Sequence, residues 1–591
     1  MRISRSIYSP GDLHSTDAKD VKKECDFMRY EMRHMFTGSG IGWFACMPCE
    51  EMEFESGLEY LREHPFDDFM HKYMLQQAAT FGPNLVNRLI DRGKEGDPYL
   101  LALMYELCII HDRLKHLRER FDDVDIKGLS RYSPLIYIRW YLEKRDYESY
   151  YWISLFSENT SIHKTLPHPD VAEQNVPFDE DTLRRWRQGI VTVRDVTDHL
   201  DRKIFQAGQA VQLTPGETAA RAMSCLSALN LFAGQQITAK TTLAPCAIQI
   251  PWHLNVAVST GRNKWRLSGI QRSYGQGLEI DEARASCLME IVERYSAFAG
   301  FDSDGAVGYA KSYPLIKGRY EDLRKKGYNV LDPNEMCLEV AYSGQELYWI
   351  SAERVGENVS RSIYVPVQLV FLFSNLDELS LTSGLPSTGL AAANSIEEAR
   401  LRSLLEVLER DAERVLPFVW ERCFLLDAED IQIKGILEDC VKNGIQVIFL
   451  DITSEFGVPC YKAFVQGPDG RILKGCGANL DGKKAAVSAL LEVPCPFPGR
   501  LGSMPAPKHL KTVRYEELPD YSTGDIGWDL RLLETLLISN GYHPIYIDLT
   551  RKDLGIPVVK TLIPGLEIMN DFDRFSRLSM RQFGHYLKEC A

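Results

Sequence analysis

The sequence lacks a long apolar run. Its most hydrophobic stretch, YLLALMYELCII at 99–110, contains Glu106 and falls short of the ~20 residues a bilayer-spanning helix needs. The first twenty residues, MRISRSIYSPGDLHSTDAKD, have no apolar segment of the kind a secretion signal carries. Basic charge is scarce too: 68 Lys and Arg against 82 Asp and Glu leave a net charge of −14, which argues against nucleic acid as the main partner. Neither G-x-x-x-x-G-K-[ST] nor G-x-G-x-x-G occurs, so any nucleotide site is built without a P-loop or a Rossmann turn. The 13 histidines show no H-E-x-x-H and no paired-ligand spacing, and lone ones such as His253 read as structural. Cys46 and Cys49, in CMPCE, form a C-x-x-C pair with no second close pair, which reads as two ordinary cysteines beside Pro48. Fourteen cysteines scattered along a chain without a secretion signal read as reduced thiols of a cytoplasmic protein.

What is present is a globular composition, 45% apolar and 25% charged, over 591 residues, which predicts two or more domains. Residues 1–200 read as mainly helical, with one helix over 96–121 and a tyrosine-rich one over 133–156. The proline-containing stretch 157–182 reads as a loop or junction. From about 205 to 591 the texture changes. A turn and helix over 213–231 are followed by strand-like runs at 247–260, 361–373, 445–453, 461–467, 543–550 and 556–563, alternating with helical segments. The fold class expected is α+β.

Two acidic segments stand out. IDEARASCLMEIVER (280–294) falls on IEEARLRSLLEVLER (396–410) at a constant offset of 116, with eight of fifteen positions identical, including Glu282/Glu398, Glu290/Glu406, Glu293/Glu409 and Arg294/Arg410. Agreement at one offset predicts a structural duplication with the two helices packed together. At roughly 100° per residue, Glu398, Glu406 and Glu409 fall at about 0°, 80° and 20°, one narrow acidic stripe. Two such stripes facing each other would repel unless cations sat between them, and all-oxygen ligands favour Mg²⁺ with substrate phosphates. The alternative is two solvated helix faces carrying local pairs such as Glu290 with Arg294. Periodicity leaves both readings open.

SYGQGLEIDEARASCLMEIVERYSA (273–297) and STGLAAANSIEEARLRSLLEVLERDA (387–412) resemble the first and second motifs of YcaO proteins. CGANLD (476–481) and DLTRKDLGIPVVKTLIPGLE (548–567) are similar to that family's later segments, in the same order, so that the resemblance covers about 213–570. It implies a duplicated α/β core at 205–591 behind an N-terminal helical domain at 1–200. It also implies ATP and Mg²⁺ as cofactors and a peptide or protein substrate whose backbone amide is activated by O-phosphorylation. The product would be an azoline, as in a cyclodehydratase, or a thioamide. Carried onto this chain, the metal ligands are Glu290, Glu293, Glu398, Glu406 and Glu409. The nucleotide contacts are Ser224, Ser286, Asn394 and Arg410, while Arg294 makes a structural ion pair. A sulfur-delivery or leader-binding partner is compatible, a homodimer is left open, and no nucleic acid or membrane is called for. A partner-dependent scaffold that binds nucleotide or peptide without turnover is the second reading.

The phosphate side departs from the family. Gln276 and Glu217 stand where members have lysine, and Ser488 where an arginine is expected. Thr388 and Ala393 replace an Asn and a Gly, and Arg551, Arg500 and Arg471 are candidate substitutes for the missing cations. The ending GHYLKECA differs from the proline-rich tail of many azoline-forming members, which shifts weight toward thioamidation.

Overall fold

The structure, a computed structural model, describes residues 27–36, 42–143, 147–187, 189–199, 212–238, 242–357, 359–494, 502–569 and 572–590. Three sheets carry the mixed α and β order expected after residue 205. The first has the order Gly42–Pro48, Met28–Phe36, Asn263–Gly277, Cys246–Thr260, Gly300–Asp302, Gly305–Val307. Its centre is a long antiparallel hairpin, Cys246–Thr260 with Asn263–Gly277, closed at Gly261, whose φ of 60° suits glycine. Buried and exposed residues alternate along Asn263–Gly277, so one face of the strand takes the core. The second sheet runs Arg361–Pro366, Leu347–Arg354, Ile545–Asp548, Val558–Leu562, Leu390–Ala392, and the third runs Ile472–Ala478, Cys460–Gln466, Ile448–Asp451, Cys423–Asp427, Lys511–Arg514.

The N-terminal region is less purely helical than its sequence predicts. Met28–Phe36 and Gly42–Pro48 form a hairpin, and the first of these strands pairs in parallel with Asn263–Gly277. The helices that follow share one hydrophobic core with the first two sheets, in which Leu103 and Met104 meet the same cluster as Trp252 and Trp349. The helix expected over 96–121 stops at Ile110. Pro98–Ile110 is apolar nearly all round and buried, whereas the basic run from Asp112 to Phe121 continues as a more exposed 3₁₀ segment. The second expected helix is observed as Tyr137–Leu142 and Tyr147–Ile162. The expected junction near 200–205 lies outside the described residues. Among the described residues no helix is long and apolar enough to cross a membrane.

The C-terminal helix Met580–Cys590 packs on the second acidic helix, Ile396–Val415, through a buried ionic knot. Arg581 donates two hydrogen bonds to Asp411 (2.5 and 2.7 Å) and one to Glu455 (2.8 Å), and His585 meets the other Glu455 oxygen at 2.9 Å. Burial alone would raise the Glu455 carboxyl, but Arg581 and His585 outweigh it and hold it down to about 2. The folded-state value is therefore below the unfolded one of about 4.3. The stability this site contributes, roughly 3 kcal/mol, is complete above the unfolded value and lost as pH falls toward 2. Thermal unfolding between pH 6 and pH 3 is expected to show this loss, and Glu455→Gln is expected to flatten the profile. An equally steep profile in the variant would remove Glu455 as its source.

Candidate functional site

Each acidic helix starts from a strand and is tied back to it. After Asn263–Gly277 the chain turns into Ile280–Ala297, and after Leu390–Ala392 it turns into Ile396–Val415. Glu282 accepts the Leu278 N–H (2.8 Å) and its counterpart Glu398 accepts the Asn394 N–H (3.1 Å), both at the first helical turn. Two turns on, Glu290 accepts the Tyr274 N–H (2.8 Å) and its counterpart Glu406 accepts the Gly389 N–H (3.2 Å). The hydrogen bonding thus repeats with the sequence, at offset 116 in both partners of the first pair and in the acceptor of the second, whose donor is one residue short of it. Glycine makes the first of these junctions possible: a Cβ on Gly275 would lie 2.1 Å from the Ala283 carbonyl and 2.4 Å from the Cys287 nitrogen.

A third copy of this junction completes the site. Strand Ile472–Ala478 leads into helix Gly482–Glu492, where a Cβ on Gly477 would meet the Ala485 carbonyl at 2.3 Å and the Ala489 nitrogen at 2.8 Å. Glu492 accepts the Cys476 N–H as Glu290 accepts that of Tyr274. Every one of these pairs (Gly275/Gly477, Ala283/Ala485, Cys287/Ala489, Tyr274/Cys476, Glu290/Glu492) is separated by 202. Ser286 and Ser488 are related by the same offset. Glu492 is the carboxylate that sequence reasoning misses. The faint signal for it is a second echo, G-x-x-L-x-x-x-x-A-x-x-S-x-L-x-E, at 275–290 and 477–492.

The two acidic helices are not packed together as the repeat predicts. Both lie against strands Leu390–Ala392 and Val558–Leu562, which brings their carboxylates within electrostatic reach of one another. Glu293 and Glu406 each feel the cations Arg294 and Lys560, and Glu293 also feels the charge of Glu406. Beside them, Glu409 accepts the Ala478 N–H (3.1 Å) and is raised by Glu492, Glu406 and Glu413. Burial is the main cause that pushes Glu293 and Glu409 up to about 8 and Glu492 up to about 7. It also raises Glu290 and Glu406. Glu413 departs from this pattern, because Lys462 (3.4 Å) and Lys474 (2.5 Å) overcome its burial and hold it well below the usual range.

Glu398 stands apart. It lies about 12 Å from Glu406 along the helix axis, and Arg402 grips its free oxygen at 2.8 Å. The expected local pair of Glu290 with Arg294 exists, at 3.7 Å, and Arg294 also reaches Glu293 at 3.6 Å. Arg410 lies 3.4 Å from Glu409 and 3.7 Å from Glu413. Asn394 donates to Thr218 Oγ1 (2.8 Å) on helix Pro215–Ala228, while its own Oδ1 is buried without a hydrogen-bond partner. Ser224, on that same helix, and Ser286, on the adjoining acidic helix, are exposed.

Two of the substitutes expected for the missing cations are engaged with other partners. Arg551 stacks 4.5 Å over Tyr295 and pairs with Asp553, Arg471 pairs with Asp469 on an exposed turn, and Arg500 lies outside the described residues. Glu217 spends its carboxylate on the helix cap, accepting the N–H and hydroxyl of Thr214 (both 2.8 Å). Among the described residues, the cations that bear on Glu290, Glu293, Glu406, Glu409 and Glu492 include Arg294, Arg410 and the buried Lys560, whose Nζ donates to the Thr388 carbonyl at 2.6 Å. Lys560 carries no periodicity and pairs with no sequence repeat, which hides it in the strand VVKTL.

These residues fit Mg²⁺ and a polyphosphate. Five carboxylates converge on three cations, and burial disfavours their charge, so the site has a deficit of positive charge that a hard divalent ion relieves. The orphaned Asn394 Oδ1 waits for a donor. Among the described residues no group of three or more His, Cys, Asp or Glu side chains stands close enough together to hold a metal ion by itself.

Comparison with known proteins gives the chain a family. Residues 274–494 and 499–567 match the family model described as YcaO cyclodehydratase, ATP- and Mg²⁺-binding. An uncharacterized protein of Methanothermobacter thermautotrophicus is 30% identical over 344 residues, 51% of this chain and 84% of that protein. A solved "Heterocyclase in complex with substrate and Cofactor" is 19% identical with a TM-score of 0.46, over 63% of this chain and 57% of its own. YcaO from Methanopyrus kandleri, bound with AMPPCP and Mg²⁺, is 19% identical with a TM-score of 0.44, over 62% of this chain and 95% of its own. The structural likenesses are modest, and the assignment stands on sequence. The chain belongs to the YcaO family, whose cofactors are ATP and Mg²⁺.

Proposed function

We propose that this chain uses Mg²⁺ and ATP to activate a backbone amide of a ribosomally made peptide or protein, yielding an azoline or a thioamide. The observation that carries this reading is the convergence of Glu290, Glu293, Glu406, Glu409 and Glu492 from three strand–helix junctions on Arg294, Arg410 and Lys560. Bound Mg²⁺·ATP supplies the phosphoryl group that turns the amide oxygen into a leaving group once a nucleophile has added to the amide carbon. The chain's part is to position and neutralise. The five glutamates hold metal, with Glu398 as an outlying sixth. Arg410, held between Glu409 and Glu413, and Lys560 face the phosphate charge. Ser224, Ser286 and Asn394 contact the nucleotide.

A sulfur-delivery or leader-binding partner supplies what the chain itself does not identify, the external nucleophile or the recognition of the precursor. Glu217 and Gln276, where the family has lysine, support the second reading, a scaffold that binds nucleotide without turning it over. Purified protein with Mg²⁺, ATP and candidate peptides is expected to release phosphate, with release rising in the presence of substrate. ATP binding by calorimetry without phosphate release selects the scaffold. Absence of binding removes both.

A further inference from the structure

A cavity of about 780 Å³ lies where the N-terminal helices meet the core, away from the acidic helices. Its size is that of a pocket for a drug-sized ligand, a few peptide residues. Phe44, Phe69, Tyr73, Phe371 and Phe575 supply apolar wall, and charged groups interrupt it: Lys72 donates to Asp68 Oδ2 at 2.9 Å, and Glu378 and Asp573 also line the cavity. The other Asp68 oxygen, Oδ1, is buried without a hydrogen-bond partner. One wall is backbone under strain. Phe373 (φ 52°) and Asn375 (φ 37°) are both left-handed, and Asn375 is pinned there by Asp67, by the Asp68 N–H, and by the side chains of Asn263 and Trp265. Strain maintained by this many contacts is found where a binding surface must keep its shape.

The cavity is linked to the acidic site by one stretch of chain. Thr382, Ser383, Gly384 and Leu385 line it; Thr388 accepts from Lys560; and Gly389 donates to Glu406. From Leu385 to Gly389 is four residues, at most about 14 Å of extended chain. A peptide with its amide at the glutamates reaches the cavity with a residue no more than about four positions away. Aromatic walls give such a residue a large apolar contact.

We infer that this cavity is a specificity pocket for the peptide substrate, taking a large apolar or aromatic side chain within about four residues of the amide that reacts. The inference rests on the amide-activating reading for the second half of that statement, the distance to the reacting bond. The first half, side-chain selection, stands on the cavity.

Two capped tripeptides, N-acetyl-Gly-Phe-Gly amide and N-acetyl-Gly-Asp-Gly amide, test it by ligand-observed NMR on the full chain. The wild-type protein is expected to bind the Phe peptide at least about tenfold more tightly. Position 384 allows the pocket to be filled: its φ is not left-handed, and a Cβ there meets nothing within 4 Å. Gly384→Trp is expected to lose that preference, and the smaller Gly384→Leu to weaken it, with melting temperatures checked by circular dichroism. Equal affinity for the two peptides, or a Phe preference untouched in both folded variants, overturns the pocket. Calorimetry with Mg²⁺·ATP on the same samples separates the two claims. Phe preference without nucleotide binding sinks amide activation and leaves the pocket standing, whereas nucleotide binding without Phe preference does the reverse.

Discussion

Glu406→Gln is expected to weaken Mg²⁺-dependent ATP binding at least about 100-fold, a loss of roughly 2.7 kcal/mol, while the protein stays folded. The side chain is the node of the site. It accepts the Gly389 N–H and lies among Arg294, Arg410 and Lys560, and Glu293 and Glu409 both feel its charge. Glutamine keeps the shape and an acceptor oxygen for Gly389, and removes only the negative charge that a metal ion needs. The fold should not suffer. Burial pushes the Glu406 carboxyl up, so its charged form is an expense to the empty protein rather than a support. The expected melting temperature of the variant without ligand is equal to or above that of the parent. Calorimetric affinity for Mg²⁺·ATP is the measurement, and an unchanged value would remove Glu406 from the metal site.

Arg581→Met is expected to destabilise the chain by about 3–5 kcal/mol, the effect of removing one partner from a buried charge cluster. Asp411 and Glu455 would then be left in the interior with their principal cation gone, and Asp411 is fully buried. His585 still meets Glu455, and the Glu567 N–H still donates to Asp411 at 2.9 Å, but neither replaces a bidentate guanidinium. Differential scanning calorimetry should show the melting temperature lowered by several degrees or more. Asp411 adjoins Arg410 on the second acidic helix, so loosening the C-terminal helix is also expected to reduce nucleotide affinity, by less than Glu406→Gln does. A variant that melts within a degree of the parent would show that the knot is not what holds this helix in place.

How much of this was legible in the sequence depends on whether a signal is periodic. The two acidic helices are readable because identical residues recur at offset 116 and fall on one helical stripe. Strands such as Cys246–Thr260 and Val558–Leu562 are readable because β-branched residues recur along the first and make up most of the second. Asn263–Gly277 is harder to see, since NKWRLSGIQRSYGQG alternates between core and polar residues yet carries three glycines that weaken any strand pattern. The hairpin at 28–48 hides in the same way. Its first strand, MRYEMRHMF, is rich in methionine and charge, and it finds its place by pairing with the edge that Asn263–Gly277 offers.

The site divides along the same line. By itself the sequence determined that a pair of acidic helices is repeated, that their carboxylates share a stripe, and that the usual phosphate-facing lysines are gone. These are local facts, set by spacing along one chain. Only the tertiary structure decided what else stands beside that stripe: Glu492 from a third junction at offset 202 and Lys560 from a β-strand. It also decided that Glu398 is tied to Arg402, away from the other carboxylates. The reason is physical. Whether a carboxylate is neutralised by its own helix, by a strand crossing from 150 residues away, or by an ion from solution depends on distances of 3 to 4 Å, and packing sets those distances while spacing along the chain does not.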